Sequence, residues 1–101
     1  MSKKIINGIW FYGLSGVGKS YASNLVFKAK KNSIIIDGDV VRKYISTDLL
    51  YSKKDRNIQI HRMLGISKIC LESNLFPIVS SVWMSKKISK KCNELGIKLI
   101  F

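Results

Sequence analysis

The run Gly13-Leu14-Ser15-Gly16-Val17-Gly18-Lys19-Ser20 fits the pattern G-x-x-x-x-G-K-[ST], the phosphate-binding P-loop. Its chemistry is electrostatic. Glycines let successive backbone N–H groups converge on the α- and β-phosphates of a nucleotide. Lys19 brings a point charge to the β- and γ-phosphates, and the Ser20 hydroxyl suits Mg²⁺. A helix opening directly after the loop turns the positive end of its dipole toward the same anion. ATP and Mg²⁺ are the expected cofactors. Across this run the glycines read G-x-x-G-x-G, not the G-x-G-x-x-G of dinucleotide folds.

A second group of chemically able residues follows. Asp37 and Asp39 flank Gly38 at the end of a short β-branched run. Phosphoryl transfer needs one carboxylate to orient the metal or its waters and another to take a proton from the attacking hydroxyl. Two aspartates one residue apart can do both; alternatively they form a turn that caps the next helix. Arg42, Arg56 and Arg62 are the only arginines, and all lie just downstream. Their planar forks suit an anionic acceptor, although Arg62 reads equally well as a solvated helix residue. His61 is the lone histidine and reads as a surface or internally satisfied residue rather than a catalyst.

The elements that must hold these residues alternate. Ile9 to Tyr12 is a β-prone run ending at Gly13, and Ala22, Leu25, Val26 and Ala29 recur at helical spacing after the P-loop. Ser33 to Ile36 predicts a strand, Val40 to Ile45 a short helix, and Ser46 to Tyr51 a loop. Ser52-Lys53-Lys54-Asp55 reads as a capping box opening a long helix to about Asn74, with Ile60, Met63, Leu64, Cys70 and Leu71 on its apolar face. Phe76 to Val82 predicts a strand with Pro77 near its start. Lys86 to Leu95 predicts a helix stopped by Gly96, and Ile97 to Phe101 a fourth strand. Strands separated by helices imply an α/β fold: a parallel sheet of the P-loop nucleoside-triphosphate hydrolase type with flanking helices. Ligands then sit beyond the carboxyl ends of the strands, where Asp37 and Asp39 fall.

A chain of 101 residues is one domain at most, here a single P-loop core over 1–101. The net charge is +12, and fifteen of the eighteen basic residues are scattered lysines. With no arginine-rich helix or aromatic platform beside them, they read as solvated faces rather than a nucleic-acid surface. No apolar run reaches the length of a membrane span, and Met1 to Lys4 leads into too short an apolar stretch for a signal peptide. Cys70 and Cys92 lack metal-site spacing and read as reduced thiols of a cytoplasmic protein.

Three segments in this order resemble the adenylyl-sulfate kinase family: Gly13 to Ser20, Asp37-Gly38-Asp39-Val40-Val41-Arg42, and Asp48 to Arg56. The resemblance implies an ATP-dependent kinase that phosphorylates the 3′-hydroxyl of adenosine 5′-phosphosulfate in sulfate assimilation. By that resemblance Asp39 is the base, acting with Lys19, and Asp37 sits near the metal with Ser20. Arg42 and Arg56 face the phosphosulfate side of the acceptor, and Tyr51 takes the place of an aromatic that stacks on its base. Two positions depart from the family pattern: Gln59 where an asparagine contacts the acceptor, and Trp83 where a serine is usual. These leave room for a relative acting on another nucleotide, such as cytidine diphosphoramidate in capsule biosynthesis. The family also continues into an arginine-bearing lid beyond the fourth strand, so the fold is expected to be incomplete at the C-terminus and turnover weak, or the chain to be an ATP-binding module without catalysis. The expected partners are ATP and an anionic nucleotide-like molecule, with a homodimer as a possible assembly and no membrane.

Overall fold

A computed structural model of the chain describes residues 5–13 and 17–101. In chain order the elements are β1 (Gly8–Tyr12), α1 (Val17–Ala29), β2 (Ser33–Asp37), α2 (Gly38–Tyr44), α3 (Lys53–Glu72), β3 (Phe76–Ser81), α4 (Lys86–Leu95) and β4 (Ile97–Ile100). The four strands form one sheet in the order β2-β3-β1-β4, with every pair parallel. Each crossover is helical, as a parallel sheet requires.

Alternation along the strands fixes which side chains meet. Trp10 pairs with Val79, and Val79 with Ile36, so these three stand on the same side of the sheet. They form the core with Val41 of α2, Ile60, Met63, Leu64 and Cys70 of α3, and Ile88 and Cys92 of α4. Trp10, Met63, Val79 and Cys92 are fully buried. The α1 helix packs on β1, β2 and β3 and contributes no residue to this cluster, so it covers the other pleat side.

The inner stripe of α1 differs from the sequence expectation. Leu25 is 52% exposed and Ala29 is exposed, whereas Ser23 is buried. Lys19 turns inward, its Nζ donating to the Gly13 and Ser81 carbonyls at the strand ends, and Ser23 and Val26 follow it at i+4 and i+7. Leu25 is thereby carried to the outside.

Local signals end the other helices. Ser52 caps α3 by accepting from the Asp55 amide at 3.1 Å. The reciprocal half of the predicted capping box does not return to Ser52: the Asp55 carboxylate accepts from the Leu50 amide at 2.8 Å. After α3, Asn74 takes a left-handed φ of 60°, and the Leu75 and Asn74 amides close on the carbonyls of Cys70 and Leu71, a Schellman arrangement. Gly96 stops α4 at φ 78°, as the sequence predicts.

Candidate functional site

The carboxyl ends of β1, β2 and β3 bring two adjoining cavities together. On the first side, β1 ends at Tyr12 and the chain turns at Gly13, where φ is 123° and a side chain is disfavoured. Leu14, Ser15 and Gly16 lie outside the described residues, and Val17 opens α1. Gly18 and Ser20 are exposed in the first turn of that helix. Lys19 Nζ donates to the Gly13 carbonyl at 3.3 Å and to the Ser81 carbonyl at 3.1 Å. Burial lowers the Lys19 pKa from its ordinary value, and the nearby Asp37 and Asp39 carboxylates oppose that shift.

Lys19, Ser20, Asp37, Asp39 and Ser80 line a cavity of about 80 Å³. Asp37 is the N-cap of α2: its Oδ2 accepts from the Val40 amide at 3.3 Å, while its Oδ1 accepts from Ser80 Oγ at 3.1 Å. The capping alternative is thus realised for Asp37, and the residue lines the cavity as well. A hydroxyl and two carboxylates around one space are hard oxygen donors. They suit Mg²⁺, which typically takes one or two carboxylates and completes its shell with water and substrate phosphates. No cluster of three or more His, Cys, Asp or Glu residues exists among the described residues.

The second cavity, of about 240 Å³, is lined by Asp39, Arg42, Tyr51, Arg56, Gln59 and Trp83 among others. Four residues, Gly38, Asp39, Ser81 and Val82, line both cavities. Arg42 lies over the Tyr51 ring at 4.3 Å and donates to the Leu50 carbonyl at 3.0 Å. Gln59 is 4% exposed; its Nε2 donates to the Gly38 carbonyl at 3.0 Å, and its Oε1 has no partner among the described residues. Trp83 donates from Nε1 to Asn57 Oδ1 at 2.7 Å, which holds its indole against α3.

Two residues fall outside both cavities. Arg62 makes a two-pronged pair with Asp48 at 2.7 and 3.0 Å. His61 is exposed on α3, beside a groove lined by Lys53, Lys54 and Lys87. Three residues that shape the site have no assigned role in the sequence reading: Ser80 against Asp37, Ser81 against Lys19, and Asn57 against Trp83. The serines had a usable signal. They end β3, and the rule that placed Asp37 at a ligand-facing strand end applies equally to them. Asn57 carries no comparable signal, because its partner Trp83 is set only by how α3 packs.

The sequence profile described as adenylylsulphate kinase matches residues 6–99. The adenylyl-sulfate kinase of Buchnera aphidicola subsp. Schizaphis graminum is 36% identical over 97 residues, covering 92% of this chain and 46% of that protein. The adenylyl-sulfate kinase of Pseudomonas aeruginosa is 38% identical over 78 residues, covering 73% of this chain and 40% of that protein. The chain therefore spans less than half the length of these relatives. A mutant of the Mycobacterium tuberculosis APS kinase CysC superposes with a TM-score of 0.74 at 25% identity, over 94% of this chain and 73% of that one. The same CysC in complex with AMPPNP and APS shares the fold, with a TM-score of 0.72 at 24% identity over 94% of this chain and 61% of that one. Extended over nearly the whole sequence and carried by the same sheet, these matches mean that the chain belongs to the adenylylsulphate kinase family.

Proposed function

We propose that the chain forms the nucleotide and acceptor sites of an ATP-dependent kinase that phosphorylates the 3′-hydroxyl of adenosine 5′-phosphosulfate. The observation that carries this reading is the position of Asp39, which lines both the cavity beside Lys19 and the cavity bearing Arg42 and Arg56. A group that takes a proton from an attacking hydroxyl must stand at such a junction. The reading is supported by family membership and by a relative of the same fold whose complex holds AMPPNP and APS.

Each residue then has a task. Backbone N–H groups of Gly13 to Ser20 cradle the phosphates of ATP, and Lys19 neutralises charge at the β- and γ-positions. The Ser20 hydroxyl and the Asp37 carboxylate would hold Mg²⁺, which would supply positive charge between the phosphates. Arg42 and Arg56 hold the anionic end of the acceptor, and the Tyr51 ring offers a face for its base. Gln59 and Trp83 shape the wall behind it. Asp39 orients the 3′-hydroxyl and takes its proton as the acceptor oxygen bonds to the γ-phosphorus. The bond from that phosphorus to the β,γ-bridging oxygen breaks, and ADP leaves. Action in the cytoplasm and self-association as a homodimer belong to the same reading.

Two substitutions separate binding from chemistry. Lys19→Ala should weaken Mg·ATP binding by about 1.5–3 kcal/mol, the size of a lost charge-assisted contact. Asp39→Asn should leave that binding nearly intact while lowering transfer by about 10²- to 10⁴-fold. Transfer is measured with adenosine 5′-phosphosulfate and cytidine-based nucleotides offered side by side. Equal ATP affinity with and without Lys19, or full transfer by Asp39→Asn, would sink the assignment. Preference for a cytidine nucleotide would move the acceptor to the chemistry that Gln59 and Trp83 allow.

A further inference from the structure

Ser81 ends β3 at the wall between the two cavities and is 7% exposed. Its hydroxyl is used in both directions. It accepts from Trp10 Nε1 at 2.8 Å and donates to the Trp83 carbonyl at 2.8 Å. The indole can only donate and the carbonyl only accept, so the direction of both bonds is fixed. Trp10 is fully buried in the core, which makes it a rigid anchor. In the same residue, the Ser81 carbonyl accepts from Lys19 Nζ at 3.1 Å. The chain of contacts thus runs from the core, through one hydroxyl, to the ammonium at the phosphate cavity.

Lysine is a point charge on a flexible four-carbon stem, so its useful position must be selected by what surrounds it. We propose that Ser81 is a positioning residue for Lys19. Its hydroxyl, tied to Trp10 and Trp83, holds the turn so that its carbonyl sets the ammonium at the phosphate cavity. The same bond holds Trp83 in the wall of the neighbouring cavity. Ser81 therefore joins the placement of the nucleotide to the shape of the acceptor site. This rests on the reading of Gly13 to Ser20 as the phosphate site.

The test is a double-mutant cycle on the full chain, with Mg·ATP affinity read by calorimetry. Ser81→Ala alone should weaken binding by about threefold to tenfold, and by less than about twofold in the Lys19→Ala background, because residues that act through one another are not additive. The same fold-loss in both backgrounds would mean a merely structural role and overturn the proposal, as would wild-type affinity in Ser81→Ala. Wild-type protein that fails to bind Mg·ATP takes down the phosphate-site reading itself, which is a distinguishable result. A second variant covers the case in which Ser81→Ala does not fold. Ser81→Thr keeps a hydroxyl that can accept from Trp10 Nε1 and donate to the Trp83 carbonyl, so it should bind Mg·ATP within about twofold of wild type. A folded Ser81→Thr that loses about tenfold or more in Mg·ATP affinity would overturn the proposal.

Discussion

Asp37 shows how one side chain answers two demands. Its carboxylate caps α2 through the Val40 amide and accepts from Ser80, while facing the cavity that holds Lys19 and Ser20. The two roles respond to different substitutions. Asparagine is as good a cap as aspartate, since its oxygen still accepts from the Val40 amide and its N–H groups can turn to Ser80. Asp37→Asn should therefore keep urea stability within a few tenths of a kcal/mol, yet weaken Mg·ATP binding through the lost charge. Asp37→Ala should lose about 1 kcal/mol of stability as well. If Asp37→Asn binds Mg·ATP as wild type does, the residue is a cap alone.

At the level of elements, the loop between α2 and α3 is held by its ends rather than by burial. Arg62 pairs with Asp48 and donates to Ser46 Oγ at 3.3 Å; Asp55 holds the Leu50 amide, and Arg42 holds the Leu50 carbonyl. Tyr51, at the loop's end, is 67% exposed and lies under Arg42. The clamp thus presents the one aromatic ring this loop offers to the cavity lined by Arg42 and Arg56. Removing it should act locally. Arg62→Ala should speed amide exchange across residues 47–51 while leaving global stability little changed, because an exposed ion pair is screened by solvent. Acid should have a related effect. The Arg62 hydrogen bond holds the Asp48 carboxyl below its ordinary value, so its contribution is present above the unfolded value and is lost as pH falls through the folded one. Exchange across 47–51 that stays at the wild-type rate in Arg62→Ala would show that the clamp does not order the loop.

The whole molecule packs its main core between α2, α3 and α4 and one pleat side of the sheet, and both thiols lie inside it. Burial pushes the Cys92 thiol up from an ordinary 9.0 to about 11, and raises Cys70 as well. The folded values lie above the unfolded ones. The thiols' contribution to stability is therefore complete below about pH 9 and is lost as pH rises through about 11. Urea midpoints taken between about pH 8 and about pH 10.5 should fall, and the fall should be smaller in Cys92→Ala. An equal fall in that variant would assign the alkaline loss to other groups. The excess of cations is a property of the same scale. Arg62 with Asp48 is the one ion pair among the described residues, so most lysines remain available to solvent and counterions.

The order of elements, the parallel sheet and the placing of Asp37 and Asp39 at the carboxyl end of the second strand are all legible in the amino-acid sequence. Those features rest on local chemistry: glycine spacing, β-branched runs, Ser52 as a helix start and Gly96 as a helix stop, and periodicity along α3. Family membership was legible for the same reason, since its motifs are short and contiguous. The contacts between distant segments, by contrast, arise only from packing. The azimuth of α1 goes with the inward turn of Lys19, not with the hydrophobic spacing around Leu25. The two-cavity junction at Asp39 exists because β3 lies between β1 and β2, which brings Ser81 and Val82 beside Gly38. The Trp10–Ser81–Trp83 chain and the Asn57–Trp83 bond join residues with no shared pattern along the chain. Periodicity reports which face of an element is buried, but a hydrogen bond across 71 or 26 positions depends on how whole elements cross, and only the packed fold sets that crossing.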